Sequence, residues 1–220
     1  MSEVVDMNDT RERVSIRASF ERFPATVKGA FVLRGADRNP HQVRIDAARV
    51  REVSGRGAQP IGLEPVTLDV APNLDLFVPF EFAITELTAG WYGLECEVAI
   101  DGDPENVRPA KRFAVPWPRA TVRRGNATVN KTGRVQNGPK VHVEQLECGG
   151  DSIKVSYTTA PPEAVPIRLA ADGAPLTILE SEFDETSGHG RVTAYPVMRT
   201  KSRLTIDVSG LASPIELDLP

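Results

Sequence analysis

At 220 residues, with 40% apolar and 25% charged residues and a formal net charge of −4, the chain is long enough for two domains of about 100 residues and too ordinary in composition for wholesale disorder. Its two cysteines, Cys96 and Cys148, give no disulfide framework, and no apolar run approaches the roughly 20 residues of a membrane span. The opening stretch MSEVVDMNDTRERVS carries acids and lacks the apolar core of a secretory leader, so the expected location is cytoplasmic.

Strand periodicity dominates the chain in order. In VSIRASF, Val14, Ile16, Ala18 and Phe20 share one face, with Ser15, Arg17 and Ser19 opposite, which is the alternation of a half-buried strand. TVKGAFVLRG follows, then HQVRIDAARVREV, whose charges fall on both parities and leave strand and helix open. PVTLDV comes next, then the long alternation LDLFVPFEFAI, where Pro79 cannot donate to a ladder and predicts an edge, a bulge or a break. WYGLECEVAID and VRPAKRFAVPW complete about seven strands. The second half supplies KVHVEQLEC, SIKVSY, VPIRLAA, PLTILES, GRVTAYPV, SRLTIDVS and SPIELDL, with Gly149-Gly150-Asp151 and Asp172-Gly173 as turns. Regularly spaced short strands between Gly, Pro, Asn and Asp clusters predict an all-β protein of two tandem immunoglobulin-like or arrestin-like β-sandwich domains. The expected partition is a tail at 1–13, a sandwich at 14–118, a basic linker at 119–138 and a second sandwich at 139–220.

In ELTAGWYGLECEVAIDGD, Tyr92, Leu94, Cys96, Val98 and Ile100 point one way, so Cys96 is expected in the core. No second cysteine precedes it, and Cys148 falls in the other sandwich, so an antibody-type bridge is excluded. The Tyr92-to-Cys96 spacing is four, where the antibody tyrosine corner has two. LTAGWYGLE resembles the Leu-x-x-Gly-x-Tyr strand of bacterial immunoglobulin-like and fibronectin-like modules. TVKGAFVLRG and FVPFEFAI are similar in spacing to the first domain of arrestin-like double sandwiches, and length and domain count are similar to those of periplasmic pilus chaperones. These resemblances imply a sandwich and transfer no site.

Candidate chemistry is sparse. His41, His142 and His189 stand apart, without the paired ligands of a structural zinc site. Asp101, Asp103 and Glu105 alternate in DGDPEN but miss the calcium-loop pattern; the simpler reading is a hairpin loop. Glu180, Glu182, Asp184, Glu185 and His189 form a second acidic run, read as a solvated strand face entering a loop. No phosphate loop, nucleophile elbow or paired-cysteine motif is present, and no cofactor or metal is expected. The two Asn-x-Thr triplets at Asn126 and Asn130 read as turn formers.

Charge is distributed unevenly. From Asn106 to Val143 there is no acid, while Arg108, Lys111, Arg112, Arg119, Arg123, Arg124, Lys131, Arg134 and Lys140 give nine positives. Such a window suits an acidic partner, a nucleic-acid backbone or an anionic surface, and equally suits pairing with the protein's own acidic faces. With Phe113 and Trp117 its only aromatics, it offers no base-stacking surface for nucleic acid. The expectation is a non-enzymatic intracellular binding, adaptor or assembly module with a protein partner. The alternative is a cell-surface accessory protein that binds carbohydrate or peptide.

Overall fold

A computed structural model describes residues 13–55 and 57–220. The expected tail, apart from Arg13, lies outside the described residues. The chain divides into two compact units, Met1–Val115 and Pro116–Pro220, and the described residues contain strands and turns but no helix.

The first unit holds β1 (Val14–Arg22), β2 (Thr26–Gly35), β3 (His41–Glu52), β4 (Ala58–Ile61), β5 (Val66–Val70), β6 (Asp75–Ala83), β7 (Gly90–Ile100), β8 (Asp103–Val107) and β9 (Arg112–Val115). One sheet runs β1-β2-β6; the other runs β4-β3-β7-β8, with β5 also on β3 and β9 also on β7. All named pairs are antiparallel. This is the immunoglobulin-like arrangement, strands A, B and E facing C′, C, F and G. The inward faces enclose one core that includes Phe31, Leu33, Ile45, Leu94, Cys96 and Ile100.

The second unit holds β10 (Gly125–Arg134), β11 (Lys140–Cys148), β12 (Ile153–Ala160), β13 (Ile167–Ala171), β14 (Ala174–Pro175), β15 (Ile178–Phe183), β16 (His189–Ala194), β17 (Arg203–Val208) and β18 (Ile215–Asp218). Its sheets run β10-β11-β12-β16-β15 and β14-β13-β17-β18. The second sandwich is thus A-B-E-D against C′-C-F-G, with β10 added outside strand A. Its core includes Val141, Leu146, Ile153, Tyr157, Leu204 and Ile206.

Some expectations change here and others hold. The stretch 119–138, expected to be a linker, contains β10, which pairs with β11 from Gly125↔Cys148 to Arg134↔Lys140. An edge strand buries little, so only Val129 of β10 enters the core, and its Asn and Thr residues face water. Because β10 belongs to the second unit, that unit begins well before 139. VRPAKRFAVPW is two strands, β8 and β9, broken around Pro109, which has no N–H to donate. The DGDPEN loop shrinks to the two-residue turn Asp101-Gly102, with φ of 53° and 92°, the doubly left-handed turn that matches hairpin twist. HQVRIDAARVREV is a strand with a bulge between Ile45 and Ala47. The extra residue moves the core positions from Val43 and Ile45 to Ala48 and Val50, which is why the charges sit on both parities. Pro79 lies on edge strand β6.

Both units share one packing device. In the first, Gly29 stands between Phe20 and Phe80 across three strands, and the rings close over it at 6.4 Å between centroids. In the second, Gly190 stands between Tyr157 and Phe183, whose rings stack at 6.3 Å. A Cβ on Gly190 would lie 2.2 Å from the Tyr157 ring. At Gly190 the missing side chain is the space that the Tyr157 ring fills, whereas a Cβ on Gly29 would meet the Ser19 carbonyl oxygen at 2.3 Å and the Phe20 Cβ at 2.4 Å.

Tyr92 supplies a corner of its own. Its hydroxyl donates to the Thr88 carbonyl at 2.9 Å, four residues upstream at the entry to β7. This is the tyrosine-corner hydrogen bond, made here without the cysteine that follows it in antibodies. Cys96 and Cys148 are both free and buried.

Candidate functional site

The polar chemistry of the first unit gathers on the outer face of its larger sheet. After the β3 bulge, Arg49 and Arg51 point outward, as do Gly93, Glu95 and Glu97 on β7. Register aligns them in rows. Arg49 faces Glu95, and Arg51 faces Gly93. On the other side of β7, Gly93 faces Arg112, while Val107, the residue before Arg108, faces Cys96. One row therefore reads Arg49, Glu95, Arg108, and the next reads Arg51, Gly93, Arg112.

Glu95 is only 1% exposed although it lies on the outer face. Its Oε1 accepts from Asn106 Nδ2 at 2.7 Å, Arg49 Nη2 at 3.3 Å and Arg108 Nη2 at 3.4 Å. Its Oε2 accepts from Arg51 Nη1 at 3.1 Å. Burial alone pushes this carboxyl up, but the hydrogen bonds from Arg51 and Asn106 and the charges of Arg108 and Arg49 outweigh it, and the group titrates at about 2. Arg49 also reaches Glu97 at 3.1 Å. The arginine heads stay partly in water, so the cluster is a buried anion under a cationic roof.

Beside it is a cavity of about 390 Å³, with Arg51, Ser54, Gly93, Glu95, Arg108 and Arg112 among its lining residues. Its origin is the interruption of the sheet edge. The β8 ladder ends at Cys96↔Val107 and the β9 ladder starts at Gly93↔Arg112, so no strand faces Leu94 and Glu95 on that side, and residues 108–111 bow around the gap. A Cβ on Gly93 would meet nothing within 4 Å. The Ser54 hydroxyl is buried and has no hydrogen-bond partner among the described residues, and the same holds for Arg49 Nε.

The basic window of the sequence is divided between the units. Arg108, Lys111 and Arg112 belong to the first; Arg119, Arg123, Arg124, Lys131, Arg134 and Lys140 belong to the second. Several are engaged internally. Lys111 Nζ donates to the Phe20 carbonyl at 2.6 Å and lies 4.6 Å from that ring's centroid. Arg123 donates to Pro220 at 2.9 Å, to the Arg199 carbonyl at 3.2 Å and to the Leu219 carbonyl at 3.4 Å. Lys131 donates to the Glu216 carbonyl, and the Arg124 guanidinium lies against Gly150. Arg119, Arg134 and Lys140 are exposed. Arg108 and Arg112 join the arginine rows. Arg49, Arg51, Ser54, Gly93 and Glu95 were not singled out from sequence; the one available signal was a glutamate between Leu94 and Cys96 in the middle of a core strand.

The histidines and acidic runs serve the fold. His41 is 7% exposed, with Nδ1 2.7 Å from Asp101 Oδ2 and Nε2 2.9 Å from Asp37 Oδ1. Those bonds, Asp101 first and Asp37 second, raise its pKa against the effect of burial. Both ring nitrogens are occupied: Nδ1 fixes β3 to the β7–β8 turn through Asp101, and Nε2 fixes it to the β2–β3 loop through Asp37. Arg13 lies 3.0 Å from Asp103, 3.6 Å from Glu105 and 3.8 Å from Asp101, so the DGDPEN acids converge on a guanidinium. Asp184 accepts from the Ser187 hydroxyl at 2.7 Å and the Thr186 N–H at 2.8 Å, closing the β15–β16 turn, and Glu182 faces Arg191. His142 is 3.0 Å from the Thr132 hydroxyl, and His189 is 3.9 Å from Glu144. Among the described residues no group of three or more His, Cys, Asp or Glu side chains is arranged to hold a metal ion.

No family model and no curated protein matches this chain. Among solved structures it is similar to a conserved domain protein from Bacillus anthracis, at 9% identity and a TM-score of 0.38, covering 94% of this chain and 87% of that one. It is similar to a marsupial T cell receptor at 13% identity and a TM-score of 0.26, covering 93% of this chain and 61% of the receptor. It is also similar to the C-terminal domain of the Streptococcus pyogenes antigen I/II-family protein AspA, at 11% identity and a TM-score of 0.24, covering 93% and 96%. Nothing about the activity of this chain follows from likenesses at that level.

Proposed function

We propose that this protein is a non-enzymatic binding, adaptor or assembly module of the cytoplasm, and that its first sandwich engages an acidic protein partner through the arginine rows of the larger sheet. The observation that carries this reading is the charge of that face. Arg49, Arg51, Arg108 and Arg112 are set against Glu95 and Glu97 on adjacent strands, leaving a cationic surplus around a cavity. A surplus held on a rigid sheet steers an acidic surface toward it and fixes its register.

The test compares wild-type protein with the Arg51→Glu/Arg112→Glu double variant as bait, at about 50 and 200 mM salt. Acidic proteins held by wild type at the lower salt should be released at the higher, because exposed charges are screened over roughly 8–10 Å, and should be lost from the variant at both. A set of bound proteins that ignores both salt and the double change would refute the reading. A variant bait that still unfolds cooperatively well above the assay temperature would show that the loss is not unfolding, a control the design needs because Arg51 pairs with the buried Glu95 carboxylate at 3.1 Å.

A further inference from the structure

Two glutamates of the first unit are buried, and only one has partners. Glu95, 1% exposed, is held by Arg49, Arg51, Asn106 and Arg108. Glu52, 8% exposed at the end of β3, forms no side-chain hydrogen bond or ion pair among the described residues. It turns to the inner face of its sheet, opposite Tyr92 and beside Gly90. There it lines a cavity of about 650 Å³ with Ala58, Gln59, Glu86 and Leu87. Its oxygens are not among the sealed polar atoms that lack a partner, so they keep surface on that cavity. A second cavity, of about 260 Å³, continues the first past Gln59 and Glu86 to Glu81 and Phe82. Neither is lined by a lysine or arginine among the described residues.

The two cavities follow the side of the sandwich between the edge strands β4 and β6. In the second unit that side is closed, because β15 pairs with β16, the counterpart of β6. In the first unit β5 pairs with β3 instead, and β6 ends its sheet with no outer neighbour. We infer that this crevice receives an extended basic segment of a partner protein, lying where a fourth strand would stand on β6, with one arginine side chain seated against Glu52 and Glu86. A buried carboxylate is tolerated only with charge partners and hydrogen bonds, and Glu52 has neither within the described residues. Glu81 is already joined to Lys28 at 2.9 Å, so Glu52 and Glu86 are the acids left for a ligand. A guanidinium suits them because its planar fork meets carboxylates in two-point contacts and is more weakly hydrated than an ammonium. Its aliphatic stem would pack on Ala58 and Leu87. An unpaired sheet edge accepts an added strand through its main chain, while pockets beside it select the side chains. This surface is distinct from the arginine rows, which point to the opposite face of the same sheet, and it does not rest on the acidic-partner reading.

The test follows amide NMR of the full chain during titration with acetylated, amidated Thr-Thr-Arg-Thr-Thr, and with the same peptide carrying citrulline, the neutral isostere of arginine. The arginine peptide should shift the amides of Gln59, Leu87 and Thr88, and Glu52→Gln should weaken its affinity by about tenfold or more, the loss of one charge-assisted contact. Glu52→Gln should also melt within about 2 °C of wild type or above it, because the carboxylate has no internal partner to lose. A larger fall would show that the fold itself uses the carboxylate, and overturns the site. Equal shifts with the citrulline peptide, shifts confined to other surfaces, or no shift up to about 10 mM peptide each overturn it as well. Calcium chloride that reproduces the same shifts and displaces the peptide makes this a metal site and overturns the arginine assignment. Arg56 lies outside the described residues, so Arg56→Ala is titrated too; binding seen only in that variant makes the chain's own arginine the occupant and overturns the partner. The result of the bait experiment bears on none of these outcomes.

Discussion

Replacing Glu95 by glutamine should destabilise the first sandwich in a way that depends on pH. The carboxyl, ordinarily near 4.5, is held at about 2, and at about 1.4 kcal/mol per pH unit this corresponds to about 3 kcal/mol at neutral pH. Glutamine keeps the shape and some hydrogen bonding but leaves three guanidinium groups, at 3.1 to 3.4 Å, without their counter-charge. Those groups reach water, so the loss should be about 2–3 kcal/mol and stay below the roughly 3–5 kcal/mol of a fully buried broken pair. The sign is that of a depressed carboxyl. Its contribution is complete above pH 4.5 and is lost as pH falls through the folded value, leaving about 1.4 kcal/mol at about pH 3. Urea is the suitable denaturant because it does not screen charge. Unfolding of the first unit can be read separately, since Cys96 is buried in its core and Cys148 in the other unit. A pulse of dithiodipyridine, which reacts in acid, followed by peptide mass mapping reports each. A gap between wild type and Glu95→Gln below about 0.5 kcal/mol at neutral pH would refute the electrostatic account. A gap that stays constant down to about pH 3 would assign the loss to packing.

Other outcomes follow from the same geometry. Burial pushes the Cys96 thiol up to about 12 and the Cys148 thiol up to about 11, so neither should react with thiol reagents at neutral pH until its sandwich unfolds; fast native labelling of Cys96 would place it on the wrong face of β7. The raised pKa of His41 means that its protonated form stabilises the fold below about pH 6.5 and that this contribution fades as pH rises through the folded value. Urea titrations of wild type and His41→Gln should therefore diverge most near about pH 5.5, where Asp37 and Asp101, both depressed by the His41 contact among other bonds, are ionised, and a gap that widens above about pH 8 would contradict the assignment. Gly190→Ala forces a methyl into the Tyr157 ring and should cost about 1–3 kcal/mol by overpacking, read as an earlier loss of Cys148 protection with Cys96 unchanged.

The architecture was legible because two sheets facing one core impose a period of two on nearly every strand. It became illegible where that period slipped. In β3 the bulge between Ile45 and Ala47 moves the outward charges from Arg44 and Asp46 to Arg49 and Arg51, and a reader holding one parity finds charge on both faces. The slip between Val143 and Gln145 on β11 does the same. There the core residues pass from Val141 and Val143 to Leu146 and Cys148. Strand β10 was hidden for a different reason. At the edge of its sheet it contributes Val129 to the core and little else, so its sequence carries almost no apolar signal and looks like a connection.

The candidate site was illegible because proximity in sequence is a poor guide to proximity on a sheet. The nine basic residues of the acid-free window were conspicuous together, yet they fall in two units, and Arg123 and Lys131 are occupied with carbonyls. The arginines that do assemble come from strands paired across long stretches of chain. Arg49 and Arg51 lie on β3 and meet Glu95 on β7 at separations of 46 and 44 residues. The residue that betrays the site is the one whose burial requires an explanation. An ionised glutamate, 1% exposed between two core side chains of β7, is tolerated only with charge partners and hydrogen bonds, and on an outward parity those partners must come from the flanking strands. Counting required partners for each charge inside a strand would have pointed to β3 and β8.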